Sequence, residues 1–101
     1  MAGRVFEYHP EAIVEAWEAF HWYKERSAIA ADRFWEEIQL ARQLATQQPE
    51  TWTTYLHGTR SFKLQRLPFA LVYVERGDRV IGIAVAHLKR RPGYWRKRLA
   101  E

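Results

Sequence analysis

Six of the sixteen Lys/Arg residues in this 101-residue chain fall within ten positions: Lys89, Arg90, Arg91, Arg96, Lys97 and Arg98, interleaved with Tyr94 and Trp95. Cations at this density attract phosphates or carboxylates, and neighbouring aromatic rings can stack on bases or guanidinium groups. Trp95 also has a plainer reading, favoured for a lone aromatic, as an anchor that ties the tail to the rest of the domain. His87 lies just upstream. An imidazole titrates near neutral pH and can serve as a general base, or it can simply close a strand through backbone hydrogen bonds. The four histidines His9, His21, His57 and His87 show no ligand spacing with carboxylates, so no metal is expected.

The charge is segregated along the chain. Residues 1–50 carry five Lys/Arg against nine Asp/Glu, a balance of −4, and residues 51–101 carry eleven against three, a balance of +8. A one-sided basic field favours a polyanion or an acidic partner, although a solvated tail that aids solubility fits the same pattern. Fifteen per cent aromatic residues is a large payload for a domain of this size, which points to a partner surface as well as a core. The length suits one domain, residues 1–101. Without cysteine there is no disulfide framework and no thiolate metal site. The opening residues lack the apolar run of a signal peptide, and no stretch approaches the roughly 20 apolar residues of a membrane helix. The expected location is cytoplasmic, with no membrane contact.

These residues need elements to position them. Arg4–Tyr8 alternates weakly and predicts a short strand. Pro10 and Glu11 suit the start of a helix. Ile13, Ala16, Trp17, Phe20 and Tyr23 form its expected inner stripe, with Glu11, Glu15 and Glu18 facing outward and an end near Arg26. On this pattern Trp17 is core. Ser27 caps a second helix whose stripe is Phe34, Ile38, Ala41 and Ala45, widened by Leu44 and stopped by Pro49. Trp22 and Trp35 lie beside these stripes, as flank packing or partner contacts.

After Trp52 the period becomes two. Phe62 and Leu64 alternate with Ser61, Lys63 and Gln65. Residues 69–74 read as a central strand, 76–79 as a hairpin turn, and 80–86 as a third strand. In strict alternation one face of that strand is Val80, Gly82, Ala84 and Ala86, and the other is Ile81, Ile83, Val85 and His87. Pro92 opens a short final helix through Leu99. The fold class is α+β: an N-terminal strand, a helical hairpin packed on a largely antiparallel sheet, and a short C-terminal helix.

In this order, four stretches carry a resemblance. They are Tyr8–Ala12, Arg33-Phe34, residues 69–73 (FALVY), and residues 84–87 (AVAH) followed by 90–95 (RRPGYW). Over residues 4–98 the chain resembles the RelE/ParE superfamily of type II toxins, particularly its ParE-like, plasmid-stabilisation members. The resemblance implies a bacterial cytoplasmic toxin without a cofactor. It implies a cognate antitoxin that lies over the helical hairpin and sheet in a hetero-oligomer, with Trp22 and Trp35 as candidate contacts. It also implies one of two targets: the ribosome with its mRNA for RelE-like nucleases, or DNA gyrase for ParE-like members, which poison gyrase and are not known as nucleases.

Metal-free RNA cleavage needs a group to activate the 2′-hydroxyl and cations for the phosphorane. RelE-like sites imply lysines and arginines on the middle strands, an arginine after the last strand, and a late tyrosine. Lys63 and Tyr94 match. Ser61, Ala70 and Leu88 stand where a lysine and two arginines are implied. Arg66, Arg90 and Arg91 are the candidate substitutes if the loops shift, and Arg66 and Arg90 with His87 complete the candidate nuclease set Lys63, Arg66, His87, Arg90 and Tyr94. The departures favour the ParE-like reading, in which Lys89, Arg90, Arg91, Tyr94, Trp95, Arg96, Lys97 and Arg98 contact the target. An inactive member that acts only by partner binding is the third expectation.

Overall fold

A computed structural model describes residues 3–101. A first strand, β1 (Val5–Tyr8), leads into α1 (Pro10–Lys24) and α2 (Ala28–Gln47). A two-residue strand, β2 (Thr53–Thr54), precedes β3 (Arg60–Lys63), β4 (Phe69–Arg76) and β5 (Arg79–His87). The sheet has five strands in the order β1-β5-β4-β3-β2. Its pairings are antiparallel except β1 with β5, which run parallel. This α+β arrangement is the one expected, with two additions: the parallel N-terminal strand makes the sheet mixed, and β2 adds a fifth strand.

Local chemistry explains the helix ends. The His9 side chain caps α1, its Nδ1 accepting from the Glu11 N–H at 3.0 Å, ahead of Pro10 in the first helical position. Ser27 caps α2 through the Ala30 N–H. Residues 25–27 alone separate the helices. The end of α2 is tied to the sheet by Tyr73, whose hydroxyl donates to the Pro49 carbonyl at 2.7 Å. Burial pushes that phenol up to about 12.

The helical hairpin covers one face of the sheet. Phe34, Ile38, Ala41 and Ala45 of α2 pack with Leu71, Tyr73, Val80 and Val85, as the α2 stripe predicts. The α1 stripe is rotated from its expected position. Ala12, Glu15 and Ala19 face inward and are buried, while Ile13 and Trp17 face outward. Trp17 is therefore not core; its ring is 52% exposed. Apolar spacing misread this helix because the true inner face combines alanines with a glutamate whose partners lie 70 or more residues away.

The strict alternation expected for β5 also fails. The register passes from Val72 opposite Ala84 to Tyr73 opposite Gly82, so Ile83 is an extra residue in a β-bulge. Val80 and Val85 consequently share the helix-facing core, and Ile83 joins Ala84 on the other side. Gly82 needs its missing side chain. A Cβ there would lie 2.8 Å from Phe6 Cζ and 2.9 Å from Tyr8 Cδ1, because the two rings of β1 pack edge-to-face directly over it.

Candidate functional site

The sheet face away from the helices carries a second apolar cluster: Val72, Val74, Ile83 and Ala84 under Trp95, flanked by Ile81, Ala86, Tyr94 and Leu99. The chain reaches it by turning at residues 88–90, reversing at Gly93 (φ +81°), and ending in a 3₁₀ turn, Arg96–Ala100, in place of the expected α-helix from Pro92. Tyr55 and His57, in the loop before β3, pack on the Trp95 ring at centroid distances of 6.0 Å. Between this segment and strands β3 and β4 lies an open groove of about 610 Å³. Lys63, Arg90 and Arg91 supply its cations, and rings including Trp52, Tyr55, Phe62, Tyr94 and Trp95 line it.

A single carboxylate fixes the segment. Glu15 of α1 is 8% exposed and takes two contacts from Arg98, Nη1 to Oε1 at 2.9 Å and Nη2 to Oε2 at 3.0 Å. The Tyr94 hydroxyl donates to Oε2 at 2.6 Å, Arg90 Nη1 at 3.2 Å, and the Val85 N–H donates to Oε1 at 3.0 Å. The place follows from the topology. β1 pairs only with residues 79–82, so the outer edge of β5 beyond Gly82 has no strand neighbour. Glu15 accepts from the Val85 N–H on that edge, and Arg98 donates to the Ile83 carbonyl at 3.0 Å. Side chains from α1 and the tail thus satisfy backbone groups that a longer β1 would have paired.

This network sets the electrostatics. Burial and the hydrogen bond to Glu15 raise the Tyr94 pKa above the ordinary phenol value, so Tyr94 keeps its proton and donates. Arg98 is also raised; its burial opposes this, and the hydrogen bond and charge of Glu15 outweigh it. The Arg90 guanidinium stacks on the Tyr94 ring at 3.7 Å. By contrast Lys63, Lys89, Arg91, Arg96 and Lys97 are exposed and, among the described residues, form no ion pair.

No protein-family model matches the sequence, and no curated protein matches it. The fold does have counterparts among solved structures. One is titled "Chromosomal ParDE TA system from P. aeruginosa": it superposes with a TM-score of 0.74 at 13% identity, covering 85% of this chain and 97% of that chain. The two chains share one fold.

On this framework the candidate residues divide into groups. Lys63, His87, Arg90 and Tyr94 line the groove together with Ser61, Ala70 and Leu88, the three positions that lack the implied cations. Arg66 is not among them. The turn after β3 carries it to a depression beside α2, where its N–H donates to Glu37 Oε1 at 3.2 Å. His87 Nδ1 accepts from the Lys89 N–H at 3.1 Å, which leaves the ring proton on Nε2 and matches the strand-end reading. Trp95 is 1% exposed, so its place as a target contact is corrected to that of a tail anchor. Arg98 is corrected in the same sense, because both its terminal nitrogens are engaged by Glu15. Trp22 and Trp35 stand half exposed on the helical hairpin.

Sequence reading missed Glu15 and the exposure of Trp17. The available signal was that Glu15 shares a helix face with Ala12 and Ala19. No described helix is long and apolar enough to cross a membrane.

Proposed function

We propose that the chain is the toxin of a type II toxin–antitoxin pair, ParE-like in action. Its exposed cations Lys89, Arg91, Arg96 and Lys97 engage a large target such as DNA gyrase, and a cognate antitoxin covers the helical face that bears Trp22 and Trp35. The observation that carries this reading is the fold likeness to a chain of a ParDE system, over nearly the whole of that chain. The state of the tail supports it: a segment clamped by Trp95 and Glu15 presents its remaining cations on a preformed surface.

Induced expression is expected to arrest growth, and purified protein is expected to inhibit gyrase supercoiling. Reversing the four exposed cations to Glu should leave the fold intact, since among the described residues none of their side chains forms an ion pair. At roughly 0.5–1 kcal/mol per surface contact, inhibition should weaken by about 30-fold or more, with a strong salt dependence in the parent protein. Full supercoiling at large toxin excess would count against gyrase as the target.

A second reading is ribosome-dependent cleavage of mRNA, drawn from the meeting of Lys63, His87, Arg90 and Tyr94 in one groove. It has less support, because Tyr94 and Arg90 are committed to Glu15 and Arg66 points elsewhere. Unchanged mRNA profiles and toxicity in the Lys63→Ala/Arg90→Ala double variant would remove it. Absence of any growth effect would leave partner binding alone as the function.

A further inference from the structure

Between α1 and the end of β5 lies a cleft of about 410 Å³, on the edge that β1 leaves uncovered beyond Gly82. Its wall is a run of rings. Trp22 meets Tyr23 at 5.2 Å, Tyr23 meets Phe69 at 6.2 Å, and Phe69 meets His87 at 5.1 Å, each edge-to-face. Rings that brace one another in this way are held ready for a flat apolar group. A concave, mostly apolar site of this size with a few polar groups is the usual form of a small-molecule site. The polar groups are Glu15, Glu18, His87 and Arg90. The charge of Glu15 is matched by Arg98, which contacts both its oxygens. Arg90 adds only Nη1 to Glu15, at 3.2 Å, and its remaining donors form no hydrogen bond among the described residues. One positive charge is therefore left over at Arg90. The exposed Glu18 has, among the described residues, no ion-pair partner. The cleft thus holds a cation and an anion that do not pair with each other. His87 adds a donor, because the Lys89 N–H occupies Nδ1 and leaves the proton on Nε2.

We propose that this cleft binds a free amino acid with an aromatic side chain. The ring lies against Trp22, Tyr23 and Phe69. The α-carboxylate accepts from Arg90 and from the His87 Nε2–H, and the α-ammonium donates to Glu18. The unpaired charges select this class of guest. A simple carboxylic acid would satisfy Arg90 but bring its own charge beside Glu18. A simple amine would satisfy Glu18 but bring its charge beside Arg90. A guest with both charges at one end and a ring at the other meets every group in the cleft, and the mismatched charge rejects the others. The site does not rest on the toxin reading, because it needs neither an antitoxin nor a target.

The probe is L-phenylalanine, titrated into the isotope-labelled full chain and followed by backbone amide shifts. Shifts are expected at residues 18–23, 69 and 85–90, with a Kd of about 1 mM, the value that roughly a dozen ligand atoms reach at ordinary efficiency. Hydrocinnamate lacks the ammonium and phenethylamine lacks the carboxylate. Each should bind about fivefold more weakly, the size expected for one exposed charge pair, and glycine, which lacks the ring, should not bind. Glu18→Gln should remove the preference for L-phenylalanine over hydrocinnamate. Arg90→Gln should remove the preference over phenethylamine. Both side chains are exposed, so the amide spectrum outside the cleft should stay that of the parent protein. The proposal is overturned if L-phenylalanine leaves those amides unmoved, or if the three ring compounds bind equally well. It is also overturned if both variants keep the parent protein's order of preference. Growth arrest without amino-acid binding would sink this inference alone, and amino-acid binding by a chain that arrests nothing would sink the toxin reading alone.

Discussion

Replacing Glu15 with alanine is expected to destabilise the protein by about 3–5 kcal/mol, the range for removing one partner of a buried ion pair. The cost arises from what remains. Arg98 keeps a side chain only 14% exposed, with its main counter-charge gone, and the Val85 N–H and Tyr94 hydroxyl lose their acceptor. Arg90 contributes little, because its side chain is 55% exposed and water can replace the carboxylate. Urea unfolding followed by circular dichroism measures the loss. Adding Arg98→Ala to Glu15→Ala should recover part of it, since the orphaned charge is then also absent. An unchanged midpoint in Glu15→Ala would mean that the tail is held by its apolar contacts alone.

Those contacts set the second large effect. Trp95→Ala is expected to cost about 3–5 kcal/mol, as for other fully buried tryptophans. The ring fills the space between Val72, Val74, Ile83 and Ala84 on the sheet and the loop bearing Tyr55 and His57. Its removal opens one face of the sheet to water. Amide exchange should accelerate most across residues 88–100 and the loop at 55–59, while α2 stays protected. Because Trp95 and Glu15 restrain the same segment, the two losses should combine to less than their sum. If the tail amides keep their protection in Trp95→Ala, the ring is not the anchor.

Much of the architecture was legible because its signals are local. Ser27 and Pro49 bracket α2, its Phe34–Ala45 stripe is buried as read, and Gly77-Asp78 turns the β4–β5 hairpin as expected. The misreadings share one cause: the deciding partner is distant in sequence. Glu15 looks like a surface residue until Arg98 and Tyr94 return to it, and its neighbours Ile13 and Trp17 are then displaced outward. The bulge at Ile83 is set by the β4 pairing and leaves no mark in the alternation of β5. Charge segregation located the basic segment correctly. It could not separate the arginines that fasten the tail from those left exposed to solvent, because that division depends on one carboxylate in the opposite half of the chain.

The brevity of β1 has a consequence for behaviour at high concentration. A mixed sheet with an open stretch of β5 would invite an extended segment of another chain to add to it, the usual start of intermolecular strand exchange and aggregation. Glu15 and Arg98 occupy the backbone groups such a visitor would use, at Val85 and Ile83. The same ion pair that fastens the tail thus blocks this edge against chain-to-chain polymerisation. A polar pair that looks costly in the free-energy balance of one molecule thereby helps to keep many molecules apart.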